Sequence, residues 1–271
     1  MFYSKLPIMF LSEIVSSDGD STNGRLASYI LEHIDEVKQD SIRDLAAKTY
    51  VSISSISRFC RDIGLQDFTQ LKALLSSTSL NFEVCSQSDS PQQQKLDYIS
   101  AVQDSLGRVR DSLDMGKLYQ LAQDIRRYQR ISIFGMLKAE TAAMNLQSDL
   151  VMLGKQAVTK VRVAQQMDYL AHTDEDDLVI IFSFTGIYFD YGIPQGYRSH
   201  RKKRPRVYFI TSGRNLENTD LYDEVIWFDS VQDQASHPYQ LQLVASLIAQ
   251  CYAHLIQDAS ICTLSAVDRD N

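Results

Sequence analysis

The fold of the N-terminal region is decided by residues 41–64, SIRDLAAKTYVSISSISRFCRDIG, a stretch that predicts two short helices joined by a tight turn. Ser41 and Asp44 have the spacing of a capping box at the start of the first helix, and Ser52 can cap the second. Only two residues lie between the helices. This pattern is typical of a helix-turn-helix, whose second helix enters the major groove of DNA.

The second helix has an apolar side and a polar side. Apolar residues recur at helical spacing on the side that we expect to pack against the domain: Ile53, Ile56, Phe59 and Ile63. The other side carries serine hydroxyls, which let a helix approach bases and phosphates closely, and arginines, which can pair with guanine. We therefore predict DNA contacts from Ser52, Ser54, Ser55, Ser57, Arg58 and Arg61, and from Lys72 in the following helix. The alternative is an ordinary solvated face on a helical hairpin.

One residue departs from the usual pattern of such turns. Tyr50 stands where many helix-turn-helix turns carry glycine. Glycine serves there because it adopts a left-handed backbone conformation without steric cost. Either this turn has another geometry, or Tyr50 bears conformational strain.

Residues 51–75, VSISSISRFCRDIGLQDFTQLKALL, resemble the N-terminal domain of RpiR-type bacterial transcriptional regulators. The resemblance rests on the serine-rich helix and on Arg58, Phe59, Gly64, Phe68 and Lys72. That family joins such a helical domain to a sugar-isomerase (SIS) domain. The resemblance therefore implies a DNA-binding regulator with an SIS-like domain in its C-terminal part.

Composition and charge narrow the class of protein. The chain has 271 residues, 44% of them hydrophobic, which suits one large domain or two ordinary ones with real cores. The net charge of −7 argues against a protein that coats nucleic acid without sequence preference. Residues 41–77 alone have five basic and three acidic side chains, a local net charge of +2 that a dimer would double.

Cysteine use and hydropathy indicate a cytoplasmic location. The four cysteines are scattered and form no metal-binding pair: Cys60, Cys85, Cys251 and Cys262. We expect reduced thiols, as in the cytoplasm. No apolar run approaches the length of a membrane span, and the N-terminus lacks the basic leader and cleavage site of a signal peptide. We therefore expect no membrane partner, no metal and no cofactor.

A change of composition predicts the domain boundary. Residues 1–77 form the predicted all-α helix-turn-helix domain, and residues 78–94, rich in serine and glutamine, form the predicted linker. Residues 95–271 are the predicted SIS-like domain for effector binding and dimerisation.

Five short apolar runs alternate with helical stretches in that second domain: residues 131–134, 157–161, 178–182, 207–211 and 224–228. Near-continuous apolar strands separated by helices predict a doubly wound α/β domain with a five-stranded parallel sheet. The SIS resemblance implies the strand order 2-1-3-4-5. A ligand crevice is then expected where the first and third strands diverge, at their carboxyl ends.

Small and hydroxylated residues follow these two strands. After the third strand, SFTG (183–186) resembles the SxSG motif of SIS domains, and its hydroxyls and backbone N–H groups suit a phosphate. We predict that an anionic ligand is bound by Gly135, Lys138, Ser183, Thr185 and Gly186. A plain strand-to-helix turn is the alternative.

The loop after the first strand departs from the SIS pattern G-x-G-x-S. Leu137 replaces the second glycine and Ala139 replaces the serine, so a hydroxyl is lost and the backbone is less open to a ligand. Lys138 or Thr141 could compensate.

The last long helix could join two subunits. Its apolar residues recur at intervals of three and four: Leu241, Val244, Ile248, Cys251 and Leu255. Such a series predicts either a core face or a seam with a second subunit. We interpret His237, at the start of this helix, as a capping or surface residue.

Three functions fit these patterns. The first is a regulator, a homodimer or higher homo-oligomer, that binds a double-stranded DNA operator and senses a phosphorylated sugar or related anion. The second is an enzyme related to sugar-phosphate isomerases, and the third is an SIS scaffold without a small-molecule ligand. No acid–base pair is evident beside the SFTG loop, so we expect no enzyme activity and assign no catalytic residue.

Overall fold

The protein, described here by a computed structural model for residues 5–16, 21–78, 82–192 and 203–267, divides into two compact units. The first unit contains Met1–Glu83 together with Lys160–Ala171 and Phe189–Pro194. The second contains Val84–Thr159, His172–Tyr188 and Gln195–Asn271. Two segments from the C-terminal half of the sequence thus belong to the N-terminal unit.

Short helices make up the N-terminal part of the first unit. In the described residues they are α1 (Lys5–Ser16), α2 (Thr22–Glu32), the single turn α3 (Ile34–Val37), α4 (Ile42–Thr49), α5 (Ile53–Asp62) and α6 (Phe68–Ser76). Phe10 of α1 and Phe59 of α5 are fully buried, and their rings stack with centroids 5.8 Å apart. This contact anchors the inner side of α5 in the core of the unit.

Side-chain caps begin α4 and α5 as the sequence predicted. Ser41 Oγ accepts a hydrogen bond from the Asp44 N–H, and the Asp44 carboxylate accepts one in return from the Ser41 N–H at 2.9 Å. Ser52 Oγ accepts from the Ser55 N–H at 3.1 Å. The caps satisfy N–H groups that have no partner inside a helix, so they fix where each helix begins.

The second unit is an α/β domain. Its described elements are α7 (Pro91–Ser112), α8 (Met115–Arg127), β1 (Arg130–Phe134), α9 (Lys138–Met152), β2 (Asp177–Phe182), β3 (Arg206–Thr211), β4 (Glu224–Trp227) and α11 (Ser236–Val267). Between α9 and β2 the chain forms α10 (Val163–Ala171), which belongs to the first unit. The strands are parallel, in the order β1-β2-β3-β4. Helices α8, α9 and α11 bury one face of the sheet in a shared apolar core.

Within the described residues the sheet has four strands in place of the predicted five. In residues 157–161 only Val158 pairs, through a single bridge to Ser132 on the outer edge of β1. The Lys160 carbonyl, which a continued strand would direct toward β1, instead accepts from the Gln166 side chain at 2.7 Å. The bridge lies where the order 2-1-3-4-5 puts the missing strand, and the other four strands follow that order.

The apolar series of α11 packs in the core of its own unit. Leu241, Val244 and Ile248 are fully buried and Cys251 is 3% exposed, while Leu255 packs against the same core. Of the two interpretations of this series, the core face is the one found, so these residues offer no surface to a second subunit. Neither α11 nor any other helix in the described ranges is long and apolar enough to cross a bilayer.

Candidate DNA-binding face and ligand crevice

The turn between α4 and α5 keeps the left-handed conformation that glycine usually supplies. Tyr50 has φ 54° and ψ 37°, and its N–H donates to the Ala46 carbonyl at the end of α4. The Tyr50 side chain is 96% exposed, so burial of the ring does not offset the conformational strain. A residue other than glycine in this conformation costs about 1–2 kcal/mol. Of the two alternatives for this turn, the strained residue is therefore the one found.

The outer side of α5 presents hydroxyls and two guanidinium groups. Ser52, Ser54, Arg58 and Arg61 are exposed, and Ser55 and Ser57 are half-buried. Ser52 Oγ lies 2.7 Å from Ser54 Oγ and 2.9 Å from Ser55 Oγ, and Ser57 Oγ donates to the Ile53 carbonyl. Neither arginine takes part in the ion pairs formed within the described residues. The arginines thus extend from a surface of small hydroxylated residues.

One residue assigned to the inner side of α5 faces outward. Ile56 and Phe59 are fully buried and Ile63 is 4% exposed, as the periodicity predicted. Ile53 is 44% exposed. It is the first residue of α5, directly after the turn and the Ser52 cap.

Lys72 has a different role from the predicted DNA contact. Its ammonium group donates to the carbonyls of Val37 at 3.0 Å and Asp40 at 2.8 Å, and also to the carbonyl of Lys38. An ammonium group has three N–H donors, so these bonds can use all of them. Lys72 therefore ties α6 to the segment after α3 and is not free to meet a phosphate.

At the carboxyl end of β1 the backbone is too crowded for a side chain at Gly135. A Cβ atom there would lie 2.6 Å from the carbonyl carbon and oxygen of Ala139 and 2.9 Å from the Glu140 nitrogen. Gly135 thus lets the first turn of α9 approach β1 closely. This is the role of a glycine at a strand-to-helix turn in a ligand-binding α/β fold.

Leu137 stands in place of the second glycine of the SIS pattern, in a backbone conformation that favours glycine. Leu137 has φ 51° and ψ −111°, and its side chain forms no cap on α9. This region of conformational space strongly favours glycine, and for other residues it costs about 1–3 kcal/mol. The surrounding structure, rather than the residue, therefore sets the shape of this loop.

Substitution of Leu137 by glycine and by alanine separates strain from packing, because both changes remove the side chain. We expect Leu137→Gly to be more stable than Leu137→Ala by about 1 kcal/mol, since only glycine accepts this backbone without strain. Urea unfolding measures the difference. At Met144, an exposed residue inside α9, the same two substitutions should rank alanine above glycine by about 1 kcal/mol. If alanine is more stable than glycine at both positions, Leu137 is not strained.

The SFTG loop after β2 folds into a tight turn that uses part of its own hydrogen-bonding capacity. The Gly186 N–H donates to the Ser183 carbonyl at 3.0 Å, and Gly186 has φ 86°. Ser183 is buried, and its Oγ accepts from the Tyr188 N–H at 3.1 Å. Thr185 is half-buried. Ser183 thus shapes the loop in addition to any contact with a ligand.

The loop is fixed to the end of β3. The Phe184 carbonyl accepts from the Ser212 N–H at 3.1 Å and from Ser212 Oγ at 2.8 Å. A Cβ atom on Gly213 would lie 2.6 Å from the Thr185 carbonyl oxygen. The polar groups predicted for the ligand are therefore held on a rigid frame.

His237, interpreted from the sequence as a capping or surface residue, is buried beside this loop. Its ring lies 4.2 Å from the ring of Phe184, centroid to centroid. Burial and the positive charge of Lys138 lower the pKa of His237 to about 3, so the imidazole is neutral near pH 7. The starts of α9 and α11 thus meet at the SFTG loop. The burial of His237 beside the loop was not predictable, because a histidine at the start of a helix is common and has no characteristic sequence pattern.

A second buried titratable group lies in the first turn of α9. Glu140 is 6% exposed, and burial raises its pKa from the ordinary 4.5 to about 7. Its Oε1 has no hydrogen-bond partner among the described residues. No sequence pattern indicates this burial, because a glutamate in a first helical turn is normally solvated.

Comparisons with known proteins agree with this geometry. Residues 15–80 match the helix-turn-helix domain of the rpiR family. Over 186 residues the chain is 29% identical to an HTH-type transcriptional regulator of Providencia stuartii that is described as uncharacterized, and the match covers 64% of this chain. The chain spans 64% of that relative's length, less than two-thirds.

A solved structure shares the fold over almost the whole chain. The NanR protein of Vibrio vulnificus, complexed with ManNAc-6P, has a TM-score of 0.51 and 16% identity, and the match covers 97% of both chains. The sugar isomerase domain of an RpiR transcription factor from Sphaerobacter thermophilus has a TM-score of 0.48 and 18% identity, with 67% of this chain and 99% of that chain covered.

The chain thus joins a helix-turn-helix domain that matches the rpiR family to an α/β domain, in a fold that NanR shares. The resemblance to the rpiR family and the predicted order of a helical domain followed by an α/β domain are confirmed, whereas the predicted fifth strand is not.

Proposed function

We propose that this chain is a DNA-binding transcriptional regulator whose α/β domain senses a phosphorylated sugar or a related anion. The observation that carries the first half is the exposed face of Ser54, Arg58 and Arg61 on the second helix of an rpiR-family domain. The relative from Providencia stuartii, described as an HTH-type transcriptional regulator, supports the same function.

The DNA-binding face of one copy has few available cations. Lys48 pairs with Asp40 at 2.9 Å and lies 3.5 Å from Glu36, and Lys72 is bound to carbonyls. Because affinity for DNA rises with the number of neutralised phosphates, one copy should bind weakly. We therefore propose a homodimer that reads two half-sites about 34–36 Å apart, or a multiple of that distance.

The dimer needs a surface other than the buried series of α11. Exposed apolar residues on α9 offer one: Met144, Val151 and Met152, of which Met152 is 82% exposed. Sedimentation should give a species of twice the 30.8 kDa chain mass. Met152→Glu should shift it to the monomer, because a charge cannot be buried in an apolar contact without a large cost. A wild-type monomer that still binds DNA tightly would exclude the dimer.

Arg58→Ala is expected to weaken binding to a specific duplex about tenfold. A bidentate pair between arginine and guanine discriminates by about 1–3 kcal/mol. The duplex is first selected from a random-sequence library with the full chain, and affinity is measured by mobility shift. Arg58→Lys keeps the charge but cannot form the bidentate pair. It should therefore lose specific binding while retaining affinity for random DNA.

Arg110→Ala is the matched control, an exposed arginine on α7 in the other unit. It should leave affinity unchanged. If selection yields no specific duplex, or if Arg58→Ala binds as tightly as wild type, α5 is not the reading helix.

Anion sensing is supported by the charged and polar groups at the carboxyl ends of β1 and β2. Lys138 begins α9, and a helix start has a partial positive charge that favours anions. The neighbouring His237 is neutral near pH 7, and Thr185 is accessible. NanR, which has this fold, is complexed with ManNAc-6P. We propose that Gly135, Lys138, Ser183, Thr185 and Gly186 surround a phosphorylated sugar or related anion.

A thermal-shift screen tests the crevice. The probes are phosphorylated sugars, including ManNAc-6P, each paired with its unphosphorylated form. A ligand at about 100 times its Kd adds about 2.7 kcal/mol of stability, so a rise in Tm is expected with a phosphorylated probe alone. Lys138→Met should abolish the rise, whereas the control Lys95→Met, exposed on α7, should keep it. A rise retained in Lys138→Met would place the ligand elsewhere, and no rise with any probe would favour the scaffold.

A sugar-phosphate isomerase is the second candidate, favoured by Glu140 and His237. A carboxyl with a pKa of about 7 and a neutral imidazole are groups that general acid–base catalysis can use. Assays with aldose and ketose phosphates decide between the two functions. Turnover that disappears in Glu140→Gln would favour the enzyme, and its absence in the wild type would favour the regulator.

A further inference from the structure

We propose that Ile53 and Tyr50 form an apolar contact surface that reads a thymine methyl group in the DNA major groove. This inference rests on the proposed DNA-binding function and extends it to the base that the turn and the first residue of α5 would recognise.

Both side chains are exposed at the end of α5 that should reach the bases. Ile53 is the first residue of α5 and is 44% exposed, and Tyr50 is 96% exposed three residues earlier. In a helix-turn-helix the N-terminal residues of the second helix contact base edges. The groove edge of adenine–thymine pairs carries an apolar group, the C5-methyl of thymine, which apolar side chains contact.

The conformation of Tyr50 is a second observation that favours a role outside the fold. Glycine would occupy this left-handed position without strain, whereas tyrosine is strained there. The ring does not recover that cost by burial in its own unit. Residues held in strained conformations are concentrated at binding sites.

The surroundings of the pair favour DNA over an apolar protein partner. Ser52 and Ser54, whose hydroxyl oxygens lie 2.7 Å apart, flank Ile53 in the chain, and Arg58 follows Ile53 about one and a half turns along α5. A protein interface would cover a broad apolar patch, but here the apolar surface is confined to two residues within a polar, cationic face. Such a face suits a groove in which one methyl group lies among polar base edges.

The test removes one methyl group from the DNA and the matching side chain from the protein. Each thymine of the duplex selected by the full chain is replaced in turn by uracil, which lacks only the methyl group. At one position per half-site we expect about fourfold weaker binding by the wild type, the value for one buried methyl-sized group. With Ile53→Ala the same replacement should have no further effect, because the contact is already lost. Tyr50→Ala should reduce the uracil effect in the same way.

Ile99→Ala is the matched control, since Ile99 is 46% exposed on α7 in the other unit. It should show the full wild-type response to uracil. The proposal is overturned if no uracil position weakens binding, or if the effects of uracil and Ile53→Ala simply multiply. Those outcomes would leave the proposed function intact, whereas failure to select any specific duplex would overturn both.

Discussion

Lys72→Met is expected to destabilise the N-terminal unit by about 3 kcal/mol, because it removes a charged donor from three backbone carbonyls. The Lys72 ammonium group holds the carbonyls of Val37, Lys38 and Asp40, which lie at and beyond the end of α3. Methionine keeps much of the apolar stem but supplies no donor. Denaturant unfolding, followed by a probe in the first unit, measures the loss.

The same variant separates a structural role from a phosphate contact. A lost phosphate contact would lower the slope of log affinity against log salt by about one. We expect the folded variant to keep the wild-type slope. Lys48→Met is the control in the same unit, since Lys48 is 37% exposed and pairs with the side chains of Asp40 and Glu36 rather than with backbone carbonyls, so it should matter less for stability. If Lys72→Met is as stable as the wild type and has a reduced salt slope, Lys72 contacts a DNA phosphate as the sequence predicted.

Glu140→Gln is expected to remove a pH dependence of about 3 kcal/mol from the stability of the α/β domain. Burial raises the pKa of Glu140 from 4.5 to about 7, so the folded protein retains a proton that the unfolded chain releases. The stability linked to this proton is fully present below about pH 4.5 and is lost as the pH rises through about 7. The energy follows from about 1.4 kcal/mol for each pH unit between the two pKa values.

Unfolding at about pH 5, 7 and 9 tests this expectation. The wild type should lose stability across the range by about 3 kcal/mol more than Glu140→Gln does. His237, whose pKa is lowered, changes the acid side of both profiles equally and cancels. Glu217→Gln, at an exposed carboxyl in the loop after β3, should follow the wild type. Parallel profiles for the wild type and Glu140→Gln would show that the folded protein binds no extra proton there.

Features set by residues close in sequence were predictable. The capping box of Ser41 and Asp44 joins residues three apart, and the strands were recognisable as apolar runs. The conflict at Tyr50 was visible because the turn has room for few conformations. In each case the sequence contains both partners of the interaction within a few residues.

Features set by distant residues were not predictable. Lys72 is bound to carbonyls more than 30 residues earlier, so its periodicity on α6 suggested a free side chain. The fifth strand was predicted from an apolar run, but the side chain of Gln166 binds the Lys160 carbonyl that would continue its pairing. His237 and Glu140 have ordinary sequence surroundings, and their pKa values depend on burial that only the folded domain provides.

The membership of α10 in the first unit limits how the chain can be cut into exchangeable modules. Ser12 Oγ donates to the Val161 carbonyl at 3.0 Å, and Arg162 Nε donates to Ser16 Oγ at 2.8 Å, just before α10 begins. A fragment that starts at Val84 would lose these partners and expose apolar surface of α10. The helical unit therefore cannot be exchanged between relatives by a single crossover at the linker. Its surface must change together with a helix encoded about 80 residues downstream, inside the other domain.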